Sequence, residues 1–270
     1  MRRHISGFSN PTVKYLRSLR DKKHRKRSGQ FLVEGLRLLE DARASGRVPQ
    51  TLVMAAETER ARDAHDLLAR LEAEVTAAGG EVITTTPGIL SKITGKDNAQ
   101  SVAGVFDEWD TALEALDRSA APIWLVAQAL RDPGNLGTML RTCDAVGAGG
   151  LILIDDCADP FSAEAVRASM GAVFTVGLAQ ARWEAFLPWL RGGVGQLVAA
   201  SLRDAVPYRG AAYAAPCFIL VGNESQGLPE DYEAACDLRV TMPMRGRADS
   251  LNAAVAAAVL AYEVLAGLEG

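Results

Sequence analysis

Histidine is scarce in this sequence and is confined to its first quarter. The three histidines are His4, His24 and His65, and residues 66–270 contain none. The chain also lacks the glycine–lysine signature of a phosphate-binding loop and any uncharged run near the roughly 20 apolar residues of a membrane span. These absences exclude a Ser-His or Cys-His nucleophile and most catalytic zinc sites from the larger part of the chain. We expect no metal site and no membrane anchor.

The cysteines show neither the spacing of a metal site nor that of a disulfide framework. They are Cys143, Cys157, Cys217 and Cys236, with mostly apolar neighbours. Buried free thiols are typical of a reducing compartment. The first 29 residues are basic but contain no apolar segment, unlike a secretory signal. We therefore expect a cytoplasmic protein.

Charge is distributed unevenly along the chain. Residues 1–30 contain ten lysines and arginines against a single acid, Asp21, for a net charge of +9. Because the whole chain carries −4, the remaining 240 residues carry −13. A basic arm on an acidic body indicates a polyanionic partner, here nucleic acid, although a solvated tail is the alternative. The residues expected to bind RNA are Lys14, Arg17, Lys22, Lys23, Arg25, Lys26 and Arg27.

Hydrophobic runs alternate with helical periodicity, which predicts an α/β protein. An acidic, alanine-rich linker over 107–121 divides it into a first domain, 1–106, and a second domain, 122–270. Near-continuous apolar strands separated by helices predict a parallel sheet covered on both faces in the second domain. In the first domain we predict a long helix over 57–78 and strands at 30–35, 51–56, 81–86 and 101–106. In the second domain we predict strands at 123–129, 150–155, 173–178, 196–201, 217–222 and 238–243.

Three loops after predicted strands carry residues that strand and helix propensity do not explain. They read RDPGNLGTMLRTCDAVGA (131–148), VGNESQGLPE (221–230) and MPMRGRADSLN (242–252). Open α/β sheets bind ligands at the carboxyl ends of their strands. Taken singly, each loop has a simpler interpretation: Glu224 could be a solvated acid, and Ser250 could cap a helix. Their occurrence at one edge indicates a site.

Arg141 is the unusual residue of the first loop. We expect it in the first turns of a helix, where the helix dipole disfavours a cation. A solvated arginine is one interpretation. The other is an anion site, in which backbone N–H groups and a guanidinium face the same ligand.

Taken in order, the three loops resemble the signature motifs of the SpoU/TrmH branch of SPOUT RNA methyltransferases. The segments are NLGTMLRT, GNESQGL and MPMRGRADSLNAAVAAAVLAYE, and AVRASMGAVFTV between the first two is also similar to the family. The resemblance covers about 120–267. Upstream, NPTVKYLRSLRDKKHRKRSGQFLVEGLRLLEDA and SVAGVF are similar to the substrate-binding domain of rRNA-modifying members, which resembles small ribosomal RNA-binding proteins.

The resemblance implies transfer of a methyl group from S-adenosylmethionine to a ribose 2′-hydroxyl by a homodimer. It also implies a parallel SPOUT sheet with a deep trefoil knot, beside a smaller N-terminal α/β domain. The catalytic positions that carry over are Asn135, Arg141, Glu224, Ser250 and Asn252. The cofactor positions are Gly222, Met242 and Leu251, with Ser201 as a further candidate.

The residue types suit this reaction. A 2′-hydroxyl must lose its proton as it attacks the methyl group, and without histidine the candidates for acceptor are Glu224 and Arg141. Arginine stays protonated in proteins, so we favour Arg141 as a clamp on the target phosphate that also stabilises the forming alkoxide. We expect Asn135, Ser250 and Asn252 to orient the ribose.

The sequence thus predicts a 2′-O-ribose methyltransferase that acts on ribosomal RNA. A tRNA ribose methyltransferase stays open, since the catalytic motifs do not distinguish the two substrates. A non-catalytic RNA-binding assembly factor that keeps the fold is a third interpretation. The intact catalytic set favours an enzyme, and the match of the first domain favours rRNA.

Overall fold

A computed structural model describes residues 2–55, 65–97, 101–223 and 226–269. The chain forms two compact units. Unit 1 comprises residues 1–109 and 161–174, and unit 2 comprises residues 110–160 and 175–270. None of the helices in the described ranges is long and apolar enough to cross a bilayer.

The helices are numbered here in chain order over the described residues. The predicted helix over 57–78 is present as α4 from His65, and residues 56–64 lie outside the described part. The ten helices are α1 (Pro11–Ser18), α2 (Lys22–Ser28), α3 (Leu36–Ala44), α4 (His65–Ala77), α5 (Pro87–Thr94), α6 (Pro133–Val146), α7 (Ala163–Ala168), α8 (Trp183–Arg191), α9 (Glu230–Ala234) and α10 (Ala253–Glu269).

Unit 1 contains a five-stranded mixed sheet. Its strands are β1 (Arg2–Ile5), β2 (Gln30–Glu34), β3 (Thr51–Ala55), β4 (Glu81–Thr85) and β5 (Val102–Asp107). They lie in the order β1-β4-β3-β5-β2, with β1, β4 and β3 parallel and β5 antiparallel to both neighbours. Over the described residues, the four strands predicted for this domain are confirmed to within one residue at each end.

The basic N-terminal segment is part of the fold of unit 1. Its first residues form β1, which pairs with β4, and Arg3 Nε lies 2.5 Å from Glu81 Oε1. Val13, Leu16 and Leu19 follow helical spacing and are buried in the core of the unit. The expectation of a basic arm was therefore wrong, because these apolar side chains fix the segment against the sheet.

An aromatic cluster in unit 1 includes two residues that are distant in sequence. Phe161 packs between Phe31 and Trp109, with ring centroids 4.9 Å and 4.8 Å away, and Phe174 packs on Phe106 at 5.5 Å. The predicted domain boundaries place both in the second domain, because the alternation of strands and helices continues through them. Their burial instead groups this segment with unit 1.

Unit 2 contains a seven-stranded sheet in which every pair of neighbouring strands is parallel. Its order is β10-β12-β9-β11-β6-β7-β8. The predicted parallel sheet is confirmed. The strands are β6 (Ile123–Gln128), β7 (Gly150–Ile154), β8 (Gly177–Ala181), β9 (Gln196–Ala200), β10 (Val206–Pro207), β11 (Cys217–Val221) and β12 (Leu238–Thr241).

The centre of this sheet is buried on both faces. All residues of β6, β7 and β11 are buried, and Trp124 stacks on Phe218 with ring centroids 5.8 Å apart. One predicted strand, 173–178, is displaced: Ala172–Phe174 forms a 3-10 turn and the strand begins at Gly177. The apolar run over 172–174 is buried because it packs in the core of unit 1 and not because it pairs in a sheet.

The four cysteines are free, as expected. Cys143 and Cys217 are buried, and the other two are half-buried. Burial raises the pKa of Cys217 to about 12 and, together with nearby Asp155, raises that of Cys157 to about 11. These thiols are therefore protonated at neutral pH and are poor nucleophiles.

Candidate active site

The three motif loops meet at one edge of the sheet in unit 2. They follow β6, β11 and β12, and the carboxyl ends of parallel strands share an edge. In the strand order, β12, β9, β11 and β6 are consecutive. This is the edge at which open α/β sheets bind ligands.

The first motif forms the beginning of α6. Asp132 caps this helix, because its Oδ1 accepts the backbone N–H of Asn135 at 2.6 Å. Pro133 occupies the first helical position, where its missing N–H costs nothing. Asn135 is therefore held in the first turn, with its side chain half-buried at the edge of the sheet.

Arg141 lies farther along α6 than the sequence indicates. It is the ninth of 14 residues in a helix that begins at Pro133. The expectation that it sits in the first turns was wrong, and the dipole argument does not apply, since that effect is confined to the terminal turns. Its neighbours Leu140 and Thr142 are buried, while Arg141 is exposed and forms no ion pair with any described residue. Its guanidinium is thus accessible to an anion.

Asn252 joins the third motif to the first. Its Oδ1 accepts the backbone N–H groups of Ala254 (3.0 Å) and Val255 (3.2 Å) and so caps α10. Its Nδ2 donates to Asn135 Oδ1 at 3.0 Å. The simpler interpretation of Ser250 as the cap of this helix was wrong, because Asn252 fills that role and Ser250 is exposed before it.

The second motif is a tight loop after β11. Asn223 Nδ2 donates to the carbonyl of Ala129 at 3.0 Å, and the Gly227 N–H donates back to the Asn223 carbonyl at 2.8 Å. A Cβ at Gly222 would lie 2.5 Å from the carbonyl carbon of Gly227, so glycine is required by the close approach of the loop to itself. Glu224 lies outside the described residues.

A cavity of about 440 Å³ opens among these loops. This volume falls within the range of small-molecule sites. All four predicted cofactor residues line it, and so does one of the predicted catalytic residues, Ser250. The four are Ser201, Gly222, Met242 and Leu251.

A buried carboxylate, which no motif singled out, also lines this cavity. Glu233 of α9 is only 6% exposed; its Oε1 accepts the Ser201 hydroxyl at 2.7 Å, and its Oε2 lies 3.5 Å from Arg203 Nη1. The sequence contains no signal for this role, because Glu233 follows Glu230 and Asp231 in what resembles an ordinary acidic helix. Its burial beside Ser201 distinguishes it.

The lining fits an adenosyl cofactor in its chemistry. Apolar walls formed by Val221, Leu228 and Val240 suit a flat, largely apolar base. Glu233 and Ser201 supply the polar groups that a ribose diol or an ammonium requires. The cavity therefore combines the two kinds of surface that such a cofactor presents.

Asp155 organises the neighbouring strand ends. It adopts a left-handed backbone conformation (φ 63°) and accepts hydrogen bonds from Tyr232 Oη (2.9 Å), Gln128 Nε2 (3.3 Å) and the backbone N–H of Trp183 (3.1 Å). Burial and the hydrogen bond to Asp155 raise the pKa of Tyr232. Because Tyr232 precedes Glu233, this network fixes α9 against the sheet and positions the carboxylate.

Most of the predicted RNA-binding residues lie on the surface of unit 1. Arg25 is the exception: it is only 3% exposed, and its Nη1 donates to the carbonyls of Leu19 (2.9 Å) and Arg20 (2.8 Å). The expectation that it binds RNA was wrong, because its guanidinium satisfies buried backbone acceptors. The exposed members of the set are Lys14, Arg17, Lys22, Lys23, Lys26 and Arg27.

Residues 122–262 match the SpoU rRNA Methylase family, and residues 10–104 match the MRM3-like substrate binding domain. The first match spans more than half of the chain. The chain belongs to the SpoU rRNA methylase family. The resemblance deduced from the three loops is confirmed.

Relatives of this SpoU methylase share both units. It is 28% identical over 260 residues to the 23S rRNA (guanosine(2553)-2′-O)-methyltransferase RlmP of Bacillus subtilis, covering 96% of this chain and 98% of that protein. It superposes with a TM-score of 0.91 on an AdoMet-bound rRNA methyltransferase from Sinorhizobium meliloti, at 36% identity and with 99% and 98% of the two chains covered. It also resembles AviRb of Streptomyces viridochromogenes in complex with AdoMet (TM-score 0.86, 26% identity, 97% and 99% covered).

Proposed function

We propose that this protein transfers a methyl group from S-adenosylmethionine to a ribose 2′-hydroxyl of ribosomal RNA. The observation that carries the proposal is the bond between Asn252 and Asn135, which joins the first and third motifs of a SpoU methylase beside a cavity of suitable size. Membership of the family and the match of unit 1 to a substrate-binding domain support it. Two relatives are named for 2′-O-methylation of 23S rRNA.

The cofactor supplies an electrophilic methyl group, and the chain supplies orientation and charge. Arg141, exposed and without an ion pair to the described residues, binds the phosphate of the target nucleotide and stabilises the oxyanion that forms at the 2′-oxygen. Asn135 and Asn252 hold each other, and with Ser250 they orient the ribose. Glu224 is our candidate for the proton acceptor, because no histidine follows His65 and arginine stays protonated.

The four cofactor residues act through different groups. Gly222 shapes the loop that forms one wall of the cavity, and Met242 and Leu251 supply apolar surface. Ser201 donates to Glu233 and holds that carboxylate in place. Each of these roles follows from a contact within unit 2.

A homodimer is part of the proposal. On α10 the side chains of Val255 and Tyr262 are 48% and 55% exposed and lie seven residues apart on one helix face, and Leu251 (37% exposed) lies just before the helix begins. An exposed apolar stripe of this kind is typical of a protein–protein interface. Because Leu251 also lines the cavity, a second copy packed on this stripe would lie beside the active site.

Two further features complete the proposal. A trefoil knot is implied by the family, and the position of β12 between β9 and β10 in the sheet supports it. A cytoplasmic location is supported by a ribosomal substrate and by the four free cysteines. The division into a substrate-binding domain at 1–106, a linker and a catalytic domain at 122–270 stays a prediction about function, because residues 161–174 group with unit 1.

The test is transfer of tritium from labelled S-adenosylmethionine to RNA from cells that lack the gene. We expect the label in ribosomal RNA, at a nucleotide whose 3′ linkage resists alkali because its 2′-oxygen is methylated. Label in tRNA alone would show that the substrate is tRNA and not rRNA. Binding of RNA without any transfer would overturn the enzymatic proposal in favour of an assembly factor.

A further inference from the structure

The Phe8 ring and Arg20 lie against helix α5 in unit 1, with Lys92 of the helix itself between them. Gly88 and Lys92 are spaced i and i+4, which places them on one side of this helix, and Gly95 is the left-handed residue that ends it. A Cβ at Gly88 would lie 3.4 Å from Phe8 Cζ, and Lys92 Nζ lies 5.2 Å from the centroid of the Phe8 ring. At the other end, a Cβ at Gly95 would lie 2.1 Å from Arg20 Cζ. Phe8, Lys92 and Arg20 therefore lie in a row along the helix, about 10 Å long at 1.5 Å per residue.

The row is exposed, and it holds more cations than the single carboxylate, Asp21, that lines the hollow beside it. Phe8 is 50% exposed, and Lys92 and Arg20 are also exposed. Arg17 lines the same surface hollow as Arg20, which extends the row by one further cation. None of these three cations forms an ion pair with a described residue, and Asp21 in the hollow uses its Oδ1 to accept the Lys23 N–H at 2.7 Å.

We propose that Phe8, Lys92, Arg20 and Arg17 form a track that binds a single-stranded segment of RNA. An unpaired base stacks on the exposed ring, and the cations bind the phosphates that follow it. The inference rests on the proposed function for the identity of the partner as RNA.

The ring determines which form of RNA fits. In a duplex the faces of the bases are already stacked, so duplex RNA could use the cations but not Phe8. An acidic peptide would likewise use only the charges. A single strand with unpaired bases uses both, and it does so with little dependence on base identity, because every base has an aromatic face.

The experiment measures binding of the full chain to a fluorescent single-stranded 12-nucleotide RNA and to a duplex of the same length. We expect Phe8→Ala to weaken single-strand binding by about 5- to 150-fold, the range for loss of one stacked base, and to change duplex binding little. Phe8→Trp should retain affinity, whereas Phe8→Leu should behave like Phe8→Ala because it keeps apolar bulk without a π face. Lys92→Ala and Arg20→Ala should each lower the salt dependence of binding by about one counterion.

Tyr15→Ala is the matched control. Tyr15 is an exposed aromatic residue of the same unit, but its hydroxyl donates to Gln30 on β2. Unchanged single-strand binding in Phe8→Ala, equal losses for single strand and duplex, or full affinity in Phe8→Leu would each overturn the track. Methyl transfer is measured separately: a wild-type protein that binds single strands through Phe8 but transfers no methyl would contradict the proposed function and leave the track in place.

Discussion

Asn252 Nδ2 donates to Asn135 Oδ1 at 3.0 Å across 117 positions of sequence. Asn252 immediately precedes α10, the helix that follows the third motif. Asn135 lies in the first turn of α6, the helix that contains the first motif. The bond therefore sets the distance between the two parts of the active site that hold the ribose in our proposal. The two ends of the Asn252 amide have different roles: Oδ1 caps α10, and Nδ2 donates to Asn135.

The two properties of Asn252 respond differently to substitution. Asn252→Asp keeps an oxygen for the cap but removes the donor to Asn135, so we expect normal melting and a large loss of methyl transfer. Asn252→Ala loses the cap as well and should destabilise the protein by about 1 kcal/mol. Asn135→Ala removes the acceptor of the same bond without removing a helix cap, so it should show the same normal melting and the same loss of methyl transfer as Asn252→Asp. Thermal melting and single-turnover transfer check both, and full activity in Asn252→Asp would contradict the role of the bond.

Arg141 should be required for transfer but not for folding or cofactor binding. We expect Arg141→Ala to lower the single-turnover rate at saturating cofactor by at least about a hundredfold, the scale of removing one transition-state donor. Arg141→Lys should restore little, because an ammonium lacks the two-pronged geometry of the guanidinium.

Arg131→Ala is the control for Arg141. Arg131 lies just before the same helix and is also exposed, and its Nη2 lies 4.0 Å from Asp156 Oδ2. Its loss should therefore change the rate by no more than a few-fold. A folded Arg141→Ala protein with near-normal turnover would contradict the phosphate clamp, but would leave the family assignment intact.

Glu233 should contribute to cofactor affinity. Its carboxylate is buried in the wall of the cavity, and hydrogen bonds to charged groups contribute about 1.5–3 kcal/mol. We expect Glu233→Gln to weaken S-adenosylmethionine binding by about tenfold or more in calorimetry, without RNA present. Glu230→Gln, an exposed residue of the same helix, is the control and should bind normally. Equal affinities for S-adenosylmethionine in the two variants would show that Glu233 does not contribute to cofactor binding.

The sequence predicted the elements whose signals are local. The strands at 123–129 and 217–222 are continuous apolar runs, and the three loops carry motif residues at fixed spacing, so periodicity and spacing suffice to locate both. Local signals also explain the errors. The apolar run at 173–178 has the pattern of a strand, yet its first residues are buried in the core of unit 1, and a basic run that includes Arg25 has the composition of a solvated arm.

The features that the sequence could not predict depend on contacts between distant residues. Glu233 becomes a cavity residue only because Ser201, 32 positions away, lies 2.7 Å from it. Arg25 becomes a structural residue only because two carbonyls from the preceding turn face it. In both cases the residue type is ordinary, and its role depends on burial, which periodicity does not determine for a single polar side chain.

The aromatic cluster of unit 1 predicts where the chain can be divided. Phe161 is 3% exposed between Phe31 and Trp109, so Phe161→Ala should destabilise unit 1 by about 3–5 kcal/mol. A fragment that begins at residue 122 would expose both Phe161 and Phe174. We expect that fragment to bind a hydrophobic dye or aggregate, whereas the full chain should not. A monodisperse fragment without dye binding would show that this segment does not need unit 1.

The apolar stripe on α10 predicts the oligomeric state. A buried aspartate without a partner is strongly unfavourable, so Val255→Asp should convert the proposed dimer into a monomer of 28.7 kDa in light scattering. Val194→Asp, at a site 75% exposed elsewhere in unit 2, is the control and should leave the mass unchanged. Because Leu251, just before α10, lines the cavity, we expect the monomeric variant to lose methyl transfer as well. A wild-type protein of 28.7 kDa at micromolar concentration would contradict the dimer, and a monomeric variant with full transfer would show that the site is complete in one chain.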